Sequence, residues 1–263
     1  MTNRRNSTGR TLSSPSWLEA HHRAKLPERR KLAARLVANR PRSIVDLGCG
    51  TGLWLDIFDQ EVAPGIPFVG LDSDPEALEI ARHRARSWQR PAEFIKADIS
   101  AEFDRIPSGD LVLLFNMFPY LTDAQTFLHE LSNNGTFSTL AIRQYDGATI
   151  RFGPISPKDR VIIEGSLFDS LSTSSEFDHY GMDRAFSEII NSGLDVEEIW
   201  FDHFQRIAPF PPDFGEYLQG TLDWTSEHLS NVARDRLEIY LKQEIRYFSG
   251  TDLMAVIRTR RSD

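Results

Sequence analysis

Apolar positions along the chain switch repeatedly between two periods. Residues 16–39 carry Leu18, Leu26, Leu32, Leu36 and Val37 at helical spacing, and Pro41 then blocks continuation. A β-rich run at 43–47 follows, entering Gly48-Cys49-Gly50-Thr51-Gly52 and a helical stretch at 53–60. The alternation repeats with a strand at 68–71, a helix at 75–88, strands at 93–97 and 111–115, a helix at 122–132 and a strand at 137–142. Asp74 and Pro75 stand in the order of an N-cap and a first helical residue. After Asp146 the pattern is irregular. It predicts a helix at 183–191, a strand at 196–201, a loop at 209–215, a helix at 232–245 and a final strand at 253–257. Residues 1–14 read as a disordered tail and 258–263 as a charged one.

Strands that alternate with helices imply right-handed crossovers and a mainly parallel sheet. A ligand then sits outside the carboxyl ends of the strands. The informative residues are therefore those just after each strand: 48–52, Asp72, Asp98, Asn116 and 144–146.

Composition narrows the classes. The 263 residues are 40% hydrophobic and 26% charged, which excludes wholesale disorder. A single cysteine, Cys49, excludes a disulfide framework and a thiolate zinc site. No apolar run approaches the about 18 residues of a membrane span, so no membrane partner is expected. A formal net charge of −8 makes nucleic acid a poor partner. The expectation is a soluble cytoplasmic protein; its oligomeric state is open. No metal site is expected, because His129-Glu130 lacks a second His at Asn133 and the adjacent His21 and His22 cannot face one site on a helix.

The glycine run is the main chemical signal. Glycines let backbone turn tightly and approach a ligand, and the amides opening the next helix favour an anionic group. A carboxylate at the end of the second strand, Asp72, stands where it accepts ribose hydroxyls. The dinucleotide fingerprint G-x-G-x-x-G is not met, because Leu53 occupies its third slot. Instead, residues 45–52 (Val-Asp-Leu-Gly-Cys-Gly-Thr-Gly) resemble motif I of the class I S-adenosylmethionine-dependent methyltransferases. Residues 69–74 are similar to that family's second motif, 95–99 to its third and 115–118 to its fourth.

That resemblance covers residues 30–145 well. It implies a Rossmann-like α/β three-layer sandwich with a seven-stranded, mostly parallel sheet in the order 3-2-1-4-5-7-6. An N-terminal helix would precede it, within a single domain over 15–263. It also implies S-adenosyl-L-methionine as cofactor and S-adenosyl-L-homocysteine as product. The cofactor would be held by Asp46, Gly48, Cys49, Gly50, Gly52, Asp72, Ser73, Asp98, Ile99 and Asn116.

Methyl transfer from a sulfonium is an in-line displacement, so the protein must chiefly align an acceptor and exclude water. Inserts at about 146–181 and 202–246 lie on the active-site face of this topology and are long enough to act as lids. Their aromatic residues make either an insert core or a pocket wall. On the second reading Phe204, Phe210, Phe214 and Tyr217 line the acceptor pocket with Trp17, Tyr120 and Arg143, and residues 204–217 form a mobile cover. His203, His179 and Tyr145 are the candidate catalytic groups. A small-molecule acceptor leads. A protein or peptide acceptor, aminopropyl transfer or cyclisation with the same cofactor, and non-catalytic cofactor binding remain alternatives.

Overall fold

The computed structural model describes residues 12–147, 149–172 and 181–259. The five β-rich runs of the first half form β1 (Ile44–Leu47), β2 (Phe68–Asp72), β3 (Ala92–Lys96), β4 (Gly109–Phe115) and β5 (Phe137–Tyr145), all parallel. A two-residue β6 (Phe152–Gly153) and two long strands, β7 (Val196–Ile207) and β8 (Tyr247–Arg258), complete the sheet. β8 runs antiparallel between β5 and β7, and β6 pairs with its first residues. The lateral order is β3-β2-β1-β4-β5-β8, with β7 along the outer edge of β8. With β6 set aside, this is the expected 3-2-1-4-5-7-6.

Helices α1 (Pro15–Ala24) and α2 (Leu26–Leu36) precede the sheet, and α3 (Leu53–Glu61), α4 (Pro75–Ala85) and α5 (Ala124–Asn133) are the crossovers. The second half adds α6 (Pro157–Ser172), α7 (Met182–Asn191), α8 (Pro212–Glu227) and α9 (Asn231–Leu241). Strand periodicity sorts the core. Leu111, Leu113 and Phe115 of β4 pack with Leu32 and Leu36 of α2 and Leu55 and Phe58 of α3. Val112 and Leu114 point the other way, toward Leu128 and Leu131 of α5 and Ile189 of α7. Burial on both faces is why β4 reads as a continuous apolar run from Leu111 to Phe115. A third cluster joins α6, α8 and α9 to the upper ends of β7 and β8.

Four local expectations change. The N-terminal helix is two helices, broken at Lys25 (φ −116°, ψ 15°), because Pro27 has no amide to continue the ladder. The segment 209–215 is not all loop: Pro211 caps α8 and Pro212 opens it, using the fixed φ of proline at a helix start. The strand expected at 196–201 continues to Ile207, and its partner begins at Tyr247, so the connection between them is residues 208–246 and is mostly helical. Of the N-terminal tail, residues 1–11 lie outside the described residues, while Ser14 caps α1 by accepting the Trp17 amide at 3.2 Å. No described helix is long and apolar enough to cross a membrane.

Candidate active site

The turn after β1 is built for close backbone approach. Gly48, Gly50 and Gly52 have φ of 78°, 52° and 76°, the left-handed region that side chains disfavour. A Cβ on Gly48 would lie 2.1 Å from Met117 Sδ. The Gly48 and Cys49 amides donate to the Leu71 carbonyl at 2.8 and 2.9 Å, pinning the turn to β2. The Gly50 amide donates to Asp72 Oδ2 at 2.7 Å, and the Asp74 amide to Asp72 Oδ1 at 2.9 Å. Burial raises the Asp72 carboxyl above the usual carboxylate range, against the pull of those two amides. Asp74 then caps α4 through the Glu76 amide at 3.0 Å.

The next two strand ends add polar groups. Asp98 Oδ1 accepts the Ser100 amide at 3.0 Å and its hydroxyl at 2.5 Å. Asn116 takes the left-handed conformation (φ 59°), and its Oδ1 accepts from Arg143 Nη1 at 3.1 Å and from the Tyr145 amide at 3.3 Å. Asn116 thus ties the end of β4 to the end of β5.

One cavity collects these residues. Gly48, Cys49, Gly50, Asp72, Ser73, Asp98, Ile99 and Asn116 line it, and so do Trp17, His21, Tyr120 and Tyr145. Asp46, in β1, and Gly52, at the end of the turn, do not line it. Asp46 is buried, its Oδ2 lacks a hydrogen-bond partner among the described residues, and burial with the Asp72 charge pushes its carboxyl up to about 7, against the attraction of Arg29.

Helix α1 crosses this site and packs on α8. Gly220 permits the approach: a Cβ there would lie 2.5 Å from Trp17 Cζ3. The Trp17 ring then stacks on Tyr217 at 5.4 Å, and the His21 ring on Tyr217 at 5.0 Å, nearly parallel at 7°. Tyr145 meets the His21 ring edge-on at 5.9 Å. Burial raises the Tyr145 phenol, so it is a donor and not a base near neutral pH.

The remaining expected site residues lie elsewhere. Arg143 is committed to a buried ion cluster: its Nη2 lies 2.6 Å from Asp252 Oδ2, and Lys25 Nζ lies 3.2 Å from Asp252 Oδ1. Burial lowers the Lys25 ammonium to about 7 despite Asp252. For Asp252, burial raises the carboxyl but Arg143 and Lys25 prevail, holding it at about 2. His203 is exposed on β7, 3.4 Å from Thr251 Oγ1, and lines a second cavity with Lys25 and Arg143; the longer strand puts it mid-strand rather than at the strand end. Phe204, Phe214 and Tyr217 belong to the core under α6, α8 and α9, and Phe210 packs on Phe214 at 5.4 Å. None of these four lines the first cavity, because an insert this large needs its own apolar interior. His179 lies outside the described residues.

Sequence reasoning missed His21 as a site residue. The available signal was its position four residues after Trp17, which places both on one face of α1.

The strand order, the glycine turn and the acid that bonds it define a Rossmann-like α/β fold. The comparisons agree. Residues 44–134 match the sequence model of a methyltransferase domain family. Over 89 residues the chain is 26% identical to the ubiquinone biosynthesis O-methyltransferase of Photorhabdus laumondii, covering 34% of this chain and 36% of that protein. Over 70 residues it is 37% identical to the demethylmenaquinone methyltransferase of Deinococcus radiodurans, covering 27% and 29%. The chain thus matches about a third of the length of these curated relatives. A solved structure from Bacillus halodurans C-125 superposes with a TM-score of 0.57 at 14% identity, covering 87% of this chain and 97% of that one, a likeness of fold.

Proposed function

We propose that the protein is an S-adenosylmethionine-dependent methyltransferase acting on a small-molecule acceptor in the cytoplasm, with residues 15–263 working as one domain. The observation that carries this reading is the one cavity lined both by the glycine turn, Asp72 and Asp98 and by the aromatic residues Trp17, Tyr120 and Tyr145.

The cofactor part of the cavity fits the group chemically. Asp72 keeps acceptor capacity for two ribose hydroxyls beyond the amides it already binds, and Asp98 stands at the next strand end, where the family's third-motif acid contacts the adenine. The left-handed glycines keep Cβ atoms out of the space. When bound, the cofactor supplies an activated methyl on a sulfonium. The chain must align the acceptor within about 3–3.5 Å of that carbon and keep water out. Helix α1, laid over the cavity and braced on α8, is placed to do the second. The two curated relatives, named for ubiquinone biosynthesis and demethylmenaquinone, favour a small acceptor over a protein one.

Titration calorimetry with S-adenosylhomocysteine tests the reading. Binding in the micromolar range is expected; no heat at high ligand, with no thermal shift, overturns it. With turnover, release of S-adenosylhomocysteine supports methyl transfer, and methylthioadenosine would assign aminopropyl transfer instead.

A further inference from the structure

The reading above leaves one buried titratable ring in the cavity without a role. His21 lines the cavity beside Trp17 and Tyr145, yet it is only 7% exposed, and its Nε2 has no hydrogen-bond partner among the described residues. Buried polar atoms are nearly always satisfied, so an orphan in a cavity wall marks a place where a ligand atom completes the bond. We propose that the acceptor is a hydroxyl-bearing aromatic of the phenol class, seated among Trp17, Tyr120 and Tyr145, and that His21 Nε2 accepts its hydroxyl proton. This rests on the methyltransferase reading.

Three features support it. The ring is held rather than free: Tyr217 stacks on it at 5.0 Å, and Arg151 Nη1 donates to the Tyr217 hydroxyl at 3.0 Å, fixing the platform in turn. Trp17, Tyr120 and Tyr145 give the cavity aromatic walls, and Leu18 and Pro119 add apolar lining, which suits a flat apolar body bearing one polar handle.

The charge pattern selects a hydroxyl over an amine. The charged and titratable groups acting on His21 are the cations Lys25, Arg29, Arg143 and Arg151, with the phenols Tyr145 and Tyr217 against its ring; Asp252 and Asp46 act on those cations behind it. Arg29 lines the same cavity, and its Nε also lacks a partner among the described residues. An amine acceptor becomes cationic as it is methylated, which this field opposes. A phenol becomes anionic as its proton leaves, which the field favours. Burial and the same cations hold the His21 imidazolium well below its ordinary range, so Nε2 keeps its lone pair at neutral pH.

The step balances. The phenol oxygen forms a bond to the methyl carbon as the sulfur–carbon bond breaks, and that electron pair stays on sulfur. The hydroxyl proton passes to Nε2, and the imidazolium, disfavoured by its neighbours, returns it to solvent when the ether leaves.

The test uses p-cresol and its methyl ether, 4-methylanisole, titrated into the full-length protein with and without S-adenosylhomocysteine. Wild type should bind p-cresol roughly tenfold tighter than the ether, the ratio set by one hydrogen bond. The His21 Nε2 resonance in an imidazole-labelled sample should move with p-cresol and not with the ether. His21→Phe keeps a stacking ring and should abolish the preference, while His21→Gln, whose amide oxygen accepts, should restore part of it. S-adenosylhomocysteine affinity should stay within about twofold in both variants. Equal binding of the two probes to wild type, or an unmoved His21 resonance, overturns the proposal even if neither variant folds. A tenfold preference without any S-adenosylhomocysteine binding would uphold the His21 subsite and remove the methyltransferase reading instead.

Discussion

The Asp72 carboxylate accepts the Gly50 amide at 2.7 Å, so the acid ending β2 and the glycine turn after β1 hold each other in place. The carboxylate is therefore oriented before any ligand arrives, and Asp72 lines the cavity. Asp72→Ala should weaken S-adenosylhomocysteine binding by about 2–4 kcal/mol, since it removes a charged acceptor for two hydroxyls and frees the turn. Asp98→Ala should cost about 1–2 kcal/mol. Calorimetry on folded variants decides; an unchanged affinity in Asp72→Ala would remove the ribose assignment.

Asp46 makes a pH prediction. Its folded carboxyl titrates at about 7, against an ordinary value of 3.8, so the native state binds the proton more tightly than the unfolded state. The stability this contributes is full below about pH 4 and is lost as pH rises through 7. Asp46→Asn cannot ionise. Its stability relative to wild type should therefore rise between pH 4 and 8, and urea melts at both ends of that range measure the difference. A constant difference across the range would show that Asp46 is ionised throughout.

The first half of the chain was legible because its rules are local. A glycine run after an apolar β segment, with an acid at the next strand end, fixes the turn and cofactor wall within residues 44–98. The second half was less so. β7 is an edge strand paired only with β8 and largely exposed, so no buried face imposed an alternation and its last six residues did not read as strand. The start of α8 read as loop because prolines punctuate loops and helix starts alike. His21 owes its place to Tyr217, in a helix far along the chain, a contact that no local pattern encodes.

The ion cluster beneath the site makes a stability prediction. Asp252 bonds both Arg143 and Lys25, and all three are buried. Asp252→Ala leaves the buried Arg143 cation without its carboxylate and removes the charge that holds the Lys25 ammonium up, and such breaks cost about 3–5 kcal/mol. Denaturant unfolding should show the loss, and a change below about 1 kcal/mol would mean that water reaches the cluster.

Residues 204–217 decide between a cover and a brace. A cover would exchange its amides quickly and slow on ligand binding. The packing points to a brace. Phe204 and Phe214 are buried against Phe248, at 5.7 and 5.1 Å between ring centres, and Lys25 Nζ lies 3.8 Å above the Phe204 ring. Phe214 is 1% exposed and reaches both Tyr217 and Phe210. Removing its ring leaves a cavity at the meeting point of α8 and the paired strands β7 and β8, for which large-to-small core changes cost about 3–5 kcal/mol. Phe214→Ala should therefore lose about that much in a denaturant melt, while S-adenosylhomocysteine affinity in the folded fraction falls less than about threefold, because the glycine turn and Asp72 make no contact with it. Amide exchange along α8 in wild type should be slow without ligand. Fast exchange there, slowed only when ligand binds, would restore the cover and leave Tyr217 a moving platform for His21.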